Sequence, residues 1–190
     1  MTKSEASSAN ARLSSGDVSL RPIVATDALW LREAELSEFL AFRWRHHGVH
    51  LSPEQYAEAM WTGVLCQFIV VSGDSPVGIV VAYDPDFVGG HCKVGAAKFQ
   101  PILTTRLVTG VTLLIDYLFK GWPFRKLYLE VPEYNLPEIA SAVDSLFAVE
   151  AVLREHVFLD GIYWPLHVLS TDRARWGEFS ARWIGRRAGY

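Results

Sequence analysis

The sequence predicts a mixed α/β (α+β) domain, and three observations predict it. The first is a strand-to-helix unit from His91 to Gly121. There a loosely alternating run, HCKVGAAKF, leads through a short connection into a long helix with one unbroken apolar stripe. In that helix Leu107, Val108, Val111, Leu114, Ile115, Leu118 and Phe119 fall at i, i+1, i+4, i+7, i+8, i+11 and i+12, the spacing of a single helical face. The second is a pair of short β-branched runs, CQFIVVS and PVGIVVAY, joined by Gly73, Asp74 and Ser75, the pattern of a hairpin. The third is FRKLYLEVPE, where Leu127, Leu129 and Val131 alternate with Lys126, Tyr128 and Glu130 as in a half-buried strand.

At 190 residues, half of them hydrophobic, the chain has the length of one well-buried domain. A net charge of -3 points away from a general nucleic-acid binder, which usually presents a strongly basic face. No apolar run approaches the ~18 residues of a membrane span, and residues 1–16 do not resemble a signal peptide. The composition therefore reads as a soluble, cytoplasmic protein without a membrane partner. Cys66 and Cys92 lie in strand-like runs with no paired cysteine motif and read as small buried hydrophobes.

Taken in order, residues 1–16 are rich in Ser and Ala and offer too little apolar surface to order themselves. The folded domain is expected over residues 17–176, with a basic, aromatic extension at 177–190. Asp17 to Ile23 forms a first strand stopped by Pro22, and Thr26 or Asp27 caps a helix reaching about Phe42. A loop loaded with Arg43, Trp44, Arg45, His46, His47 and His50 follows. Ser52, Pro53 and Gln55 then open a second helix as a cap, a first-turn proline and a reciprocal glutamine. After the hairpin, Thr104 or Thr105 caps the long helix, and Gly121 and Pro123 stop it. Beyond the alternating strand, Asn135 with Glu138 reads as a cap for a helix carrying Leu136, Ile139, Ala140, Val143 and Leu146. FAVEAVLREHVFLDG and IYWPLHVLS close the domain as two strands joined around Asp160 and Gly161. The resulting order is β, α, α, β, β, β, α, β, α, β, β.

Several of these residues, in this order, resemble the Gcn5-related N-acetyltransferases, in particular the branch containing the ribosomal-protein alanine N-acetyltransferases. The likeness rests on Pro101, the LLIDYLF that ends the long helix, and LYLEVPEYN with Asn135. It continues through Phe147, Glu150, Leu153, Arg154 and Gly161 to Arg173 and Trp176. It implies a mostly antiparallel central sheet of about seven strands flanked by about four helices. It also implies acetyl-coenzyme A or another acyl-coenzyme A as cosubstrate, held in a V-shaped opening beside the strand at His91 to Phe99, with an amine of a small molecule or peptide as acceptor.

Residues carried over from the resemblance follow its motifs. The family's Gln/Arg-x-x-Gly-x-Gly/Ala loop cradles pyrophosphate on bare backbone, whereas this chain reads PILTTRLV there, without glycine. Thr104, Thr105, Arg106 and the helix N-terminus are the remaining phosphate donors. Ala97, Lys98 and Phe99 on the strand and Asn135 complete the cofactor-binding set, with a backbone N–H near Ala97 or Lys98 as oxyanion donor. The base is sought among His91, Glu130, Asp84 and Asp86. The family's general-acid Tyr is replaced near Val143, and Tyr134 is the nearest substitute. Arg43, Trp44, Arg45, His46 and His47 fall where the family lines its acceptor pocket, and they suit an anionic or aromatic acceptor.

Three readings remain open from sequence: a coenzyme A-dependent N-acyltransferase, a binding or dimerising module that has lost the nucleotide site, and an enzyme taking its acyl group from an acyl carrier protein or aminoacyl-tRNA. The histidine cluster lacks a completing carboxylate and carries no metal assignment. The Arg-rich tail around Trp176, Phe179 and Trp183 reads as an amphipathic segment that packs on the body or on a second subunit.

Overall fold

The computed structural model describes residues 13–101, 105–140 and 142–187, and the side chains of these as far as residue 182. Its elements run β1 (Ser14–Ser15), β2 (Val18–Pro22), α1 (Asp27–Glu35), α2 (Pro53–Ala59), β3 (Val64–Ser72), β4 (Ser75–Asp86), β5 (His91–Lys98), α3 (Thr105–Gly121), β6 (Lys126–Pro132), α4 (Leu136–Ile139), β7 (Ala148–Leu159), β8 (Ile162–Asp172) and α5 (Arg173–Arg187). A short 3-10 turn, Glu133–Asn135, precedes α4. Among the described residues this makes eight strands and five helices, one of each beyond the expected numbers. No helix among them is long and apolar enough to cross a membrane.

The chain comprises two compact units. The first comprises residues up to Pro85 with Gly95–Trp122, and the second comprises Asp86–Val94 with residues from Pro123 onward.

In the first unit the strands follow the order β1-β2-β3-β4-β5, with β1/β2, β2/β3 and β3/β4 antiparallel. The pairing Ser14↔Ser19 and the bond from the Leu20 N–H to the Leu13 carbonyl place Leu13 to Ser15 inside the fold. The expected boundary at residue 17 is therefore too late. Residues 1–12 lie outside the described ones.

The apolar stripe of α3 buries Leu114, Ile115, Leu118 and Phe119. Gly110 sits where that helix meets β3, since a Cβ there would come within 2.5 Å of Val70 Cγ2. Gly110→Ala is expected to destabilise the protein by about 1–3 kcal/mol through overpacking, outweighing the ~1 kcal/mol of helix propensity that alanine adds. Adding Val70→Ala should restore part of the loss, as read by urea unfolding of the single and double variants.

α2 starts with the capping box foreseen from sequence. The Gln55 N–H donates to Ser52 Oγ at 3.2 Å and the Ser52 N–H donates to Gln55 Oε1 at 3.0 Å. By contrast, α1 stops at Glu35 instead of reaching Phe42, and residues 36–48 run on as consecutive turns. Asp27 does not act as a simple cap either. Its carboxylate accepts from both Arg21 guanidinium nitrogens, the Val24 N–H and Trp30 Nε1, and these donors hold it far below the usual carboxylate range, Arg21 contributing most.

The second unit carries the strand order β5-β6-β8-β7. β5 and β6 are parallel over His91↔Lys126 to Val94↔Leu129, and β6/β8 and β7/β8 are antiparallel. Phe124, Leu127, Leu146, Phe147 and Leu169 form its buried interior.

The expected helix from Asn135 is a single turn, Leu136–Ile139. Asn135 closes the 3-10 turn with φ -101° and ψ -9° and makes no side-chain cap bond, because a capping side chain needs an extended backbone to reach the free N–H groups. The extension expected from residue 177 is continuous with the domain, since α5 runs unbroken through that position.

Candidate functional site

In the second unit, alternation along β5 and β6 sends Cys92, Leu127 and Val131 into the interior. It leaves His91, Lys93, Lys126, Tyr128 and Glu130 on the opposite face. The parallel register brings His91 beside Lys126 and Lys93 beside Tyr128. His91 and Glu130 thus lie on the same face of neighbouring strands, with Glu130 four residues beyond the position paired with His91.

Their surroundings differ. Glu130 Oε1 lies 3.0 Å from Lys93 Nζ, so this carboxylate already neutralises a cation. His91 packs edge-on against Tyr128, with ring centroids 5.5 Å apart, and its Nε2 lies 3.4 Å from Asp86 Oδ2. Beside His91, Lys126 Nζ donates to Glu150 Oε1 at 2.6 Å, and Ser170 Oγ donates to the same oxygen at 2.5 Å. Tyr134, the sequence candidate for a general acid, lies in the 3-10 turn with its ring edge-on to Trp164.

In the first unit the polar centre is one the sequence reading missed. Asp27, Leu31 and Glu35 are the buried residues of α1, spaced four apart on one helical face. Glu35 is only 6% exposed, and three consecutive loop side chains turn inward onto it. Trp44 Nε1 donates to Glu35 Oε1 at 3.1 Å. Arg45 Nε lies 3.4 Å from the same oxygen, and His46 Nε2 lies 3.8 Å from Oε2. Arg45 also donates to the Met60 carbonyl and to Gln67 Oε1. The Tyr56 hydroxyl, on α2, faces the carboxylate too.

Burial raises the Glu35 carboxyl above its ordinary range, with Arg45, Tyr56 and Trp44 opposing. It also raises Tyr56, whose ionised form is disfavoured further by Glu35. His46 is held below the usual imidazole range by burial, then by Arg45 and His47. Arg32, Glu35, Trp44, His46, Leu51 and Tyr56 help line a small recess that is partly open to solvent. Trp44, Arg45 and His46, expected from sequence as acceptor contacts, face Glu35, and Trp44 and His46 also line the recess. His47 occupies a turn with φ 44°, its Nδ1 3.3 Å from the Phe42 carbonyl. The sequence signal for Glu35 was available: a carboxylate four residues after Leu31 on the apolar face of its helix.

The cofactor candidates of the first unit cluster around β5 and the start of α3. Ala97 is buried in the core with Leu31, Leu40, Tyr56, Met60 and Ile79, and its carbonyl would lie 2.5 Å from a Cβ at position 78, which is Gly78. Lys98 Nζ lies 5.5 Å above the Phe39 ring, and Phe99 packs edge-on against Trp30 at 5.3 Å. Thr105 begins α3 and is exposed. Arg106 Nε reaches Asp17 Oδ2 at 3.3 Å. Thr104 lies outside the described residues, and Asn135 belongs to the second unit. Among the described residues no three His, Cys, Asp or Glu side chains gather as metal ligands would.

No family model and no curated protein matches the sequence. Solved structures do match in fold. A chimera of the Vibrio cholerae spermidine N-acetyltransferase SpeG with hSSAT superposes with a TM-score of 0.72 at 15% identity, covering 85% of this chain and 98% of that one. The Vibrio cholerae spermidine N-acetyltransferase in complex with CoA and spermine gives 0.70 at 16% identity, over 84% and 98% of the two chains. RimL, a ribosomal L7/L12 alpha-N-protein acetyltransferase in complex with coenzyme A, gives 0.70 at 13% identity, over 83% and 95%. At such identities the likeness establishes a fold.

Proposed function

We propose that this chain, which has the fold of the Gcn5-related N-acetyltransferases, is an N-acyltransferase that moves an acyl group from acyl-coenzyme A to an amine. The observation that carries the reading is the strand-to-helix unit: β5 runs parallel to β6 over four paired positions and is followed in the chain by the long helix α3. That solved acetyltransferase structures matching this fold hold coenzyme A supports the donor. The neighbour bound to spermine supports a small amine as acceptor.

In the proposed reaction the amine nitrogen attacks the thioester carbonyl, a C–N bond forms and the C–S bond breaks. His91 takes the ammonium proton. Tyr134 protonates the departing thiolate. Backbone N–H groups near Ala97 and Lys98 receive the developing oxyanion. Thr105, Arg106 and the α3 N-terminus hold phosphate, with Phe99 in the same donor-binding set. Arg43 and His47 are the loop residues proposed to meet the acceptor, while Trp44, Arg45 and His46 shape their loop from within.

The absence of glycine between Pro101 and Val108, together with the existing Arg106–Asp17 pair, favours a second reading in which the fold persists without coenzyme A. Thermal unfolding with and without acetyl-coenzyme A decides between them. A ligand at 100 times its dissociation constant adds about 2.7 kcal/mol, so a clear rise in Tm is expected. No shift at millimolar ligand would overturn the coenzyme A reading.

A further inference from the structure

We infer that Asp86 is a positioning residue that fixes the tautomer and ring orientation of His91. This rests on the proposed role of His91 as base, and it assigns a task to a loop whose geometry is otherwise unexplained.

Asp86 closes β4 and is followed by Phe87, Val88, Gly89 and Gly90, which lead into His91. One carboxylate oxygen is fixed by the loop backbone: the Val88 N–H donates to Asp86 Oδ1 at 3.0 Å and the Gly89 N–H donates at 2.7 Å. These donors, Gly89 foremost, hold the Asp86 carboxyl below its ordinary range, so it is an anion at neutral pH. The other oxygen, Oδ2, is thereby aimed at His91 Nε2, 3.4 Å away.

The loop is tied to the strand that pairs with His91. The Arg125 N–H donates to the Gly90 carbonyl at 2.7 Å, Arg125 Nε donates to the Gly89 carbonyl at 2.9 Å, and Phe87 stacks on Phe124 with centroids 5.6 Å apart. The imidazole is confined on another side by the Tyr128 ring.

Gly89 supplies the independent observation. A Cβ at that position would lie 2.6 Å from Asp86 Oδ2 and 2.9 Å from His91 Nε2. Its φ is outside the left-handed region, so backbone conformation does not require glycine here. A side chain there would instead push the carboxylate and the imidazole, both movable side-chain ends, out of their present approach. An aspartate that accepts from one ring nitrogen favours the tautomer protonated there and leaves the other nitrogen with its lone pair. In this chain the proton sits on Nε2, facing Asp86, and Nδ1 is the atom that takes the ammonium proton.

The test compares the full-length protein with Asp86→Asn and Gly89→Ala, using two readouts. Long-range proton–nitrogen NMR correlations above the imidazole titration report the His91 tautomer without any substrate. The expected result is a predominant Nε2–H form in the parent and a mixed population in both variants. Steady-state kinetics should show kcat falling on the order of tenfold in both with KM little changed, far short of the ~10⁴ of a buried orienting aspartate, since this pair is half-exposed. An unchanged tautomer population in both variants overturns the inference, as does an unchanged kcat in both while His91→Ala is inactive. If His91→Ala retains full activity, the base assignment falls, and the tautomer readout still decides whether Asp86 orients the ring.

Discussion

Replacing Glu35 with alanine is expected to cost about 3–5 kcal/mol of folding stability, the range for removing one partner of a buried ion pair. That is a large part of the ~5–15 kcal/mol that holds a typical domain folded. The truncation leaves Arg45 Nε without its counter-charge and Trp44 Nε1 without its acceptor, both largely buried. Glu35→Gln keeps an oxygen for Trp44 and should lose much less.

The pH dependence has a defined sign. The folded-state pKa of Glu35 is raised, so between the ordinary carboxylate range and that higher value the folded state binds more protons than the unfolded one. Stability from this group is fully present at lower pH and declines as pH rises through the folded value. Glu35→Gln should flatten that decline. Urea unfolding of the parent and both variants across this range checks both statements. An alanine variant within 1 kcal/mol of the parent would show that the cluster is not what holds residues 36–48 in place.

Which features were legible in the sequence follows from how local their causes are. The α3 stripe, the Ser52 capping box and the alternation of β6 each depend on residues within a few positions of one another, and all three stand in the structure, except that Val108 at the start of the stripe is exposed. The Asn135 helix failed although its motif is also local. Burying Leu146 and Phe147 within the second unit draws the chain into a tight turn with Asp144 at φ 66°, and tertiary packing overrides the propensity. Glu35 failed for the opposite reason. Its partners come from positions 44 to 46 and 56, and only folding brings them together. The sequence reading of Trp44, Arg45 and His46 as acceptor contacts carried no sign of this partner. One buried carboxylate on the preceding helix draws them inward, because a desolvated charge must be met by donors.

His91→Ala is expected to lower kcat by about 10²- to 10⁴-fold, the usual contribution of a positioned general base. Stability should change little, because a third of the His91 side chain is exposed and its backbone pairing with Lys126 is retained. The shape of the pH profile separates loss of a base from a general disturbance. With an alkyl amine of pKa near 10.4, roughly one acceptor in 10³ is unprotonated at pH 7, so an enzyme without its base must wait for that fraction. The rate of His91→Ala should therefore climb about tenfold per pH unit toward the amine pKa, while the parent levels off earlier, and the gap between them should close at high pH. Glu130→Gln provides the contrast. Glu130 is bound to Lys93 at 3.0 Å, so proton abstraction there would strand a lysine cation, and this variant should keep kcat within a few-fold of the parent at every pH. If Glu130→Gln shows the steep profile and His91→Ala does not, the base is Glu130, and the Lys93 contact is a resting pair that opens when the acceptor binds.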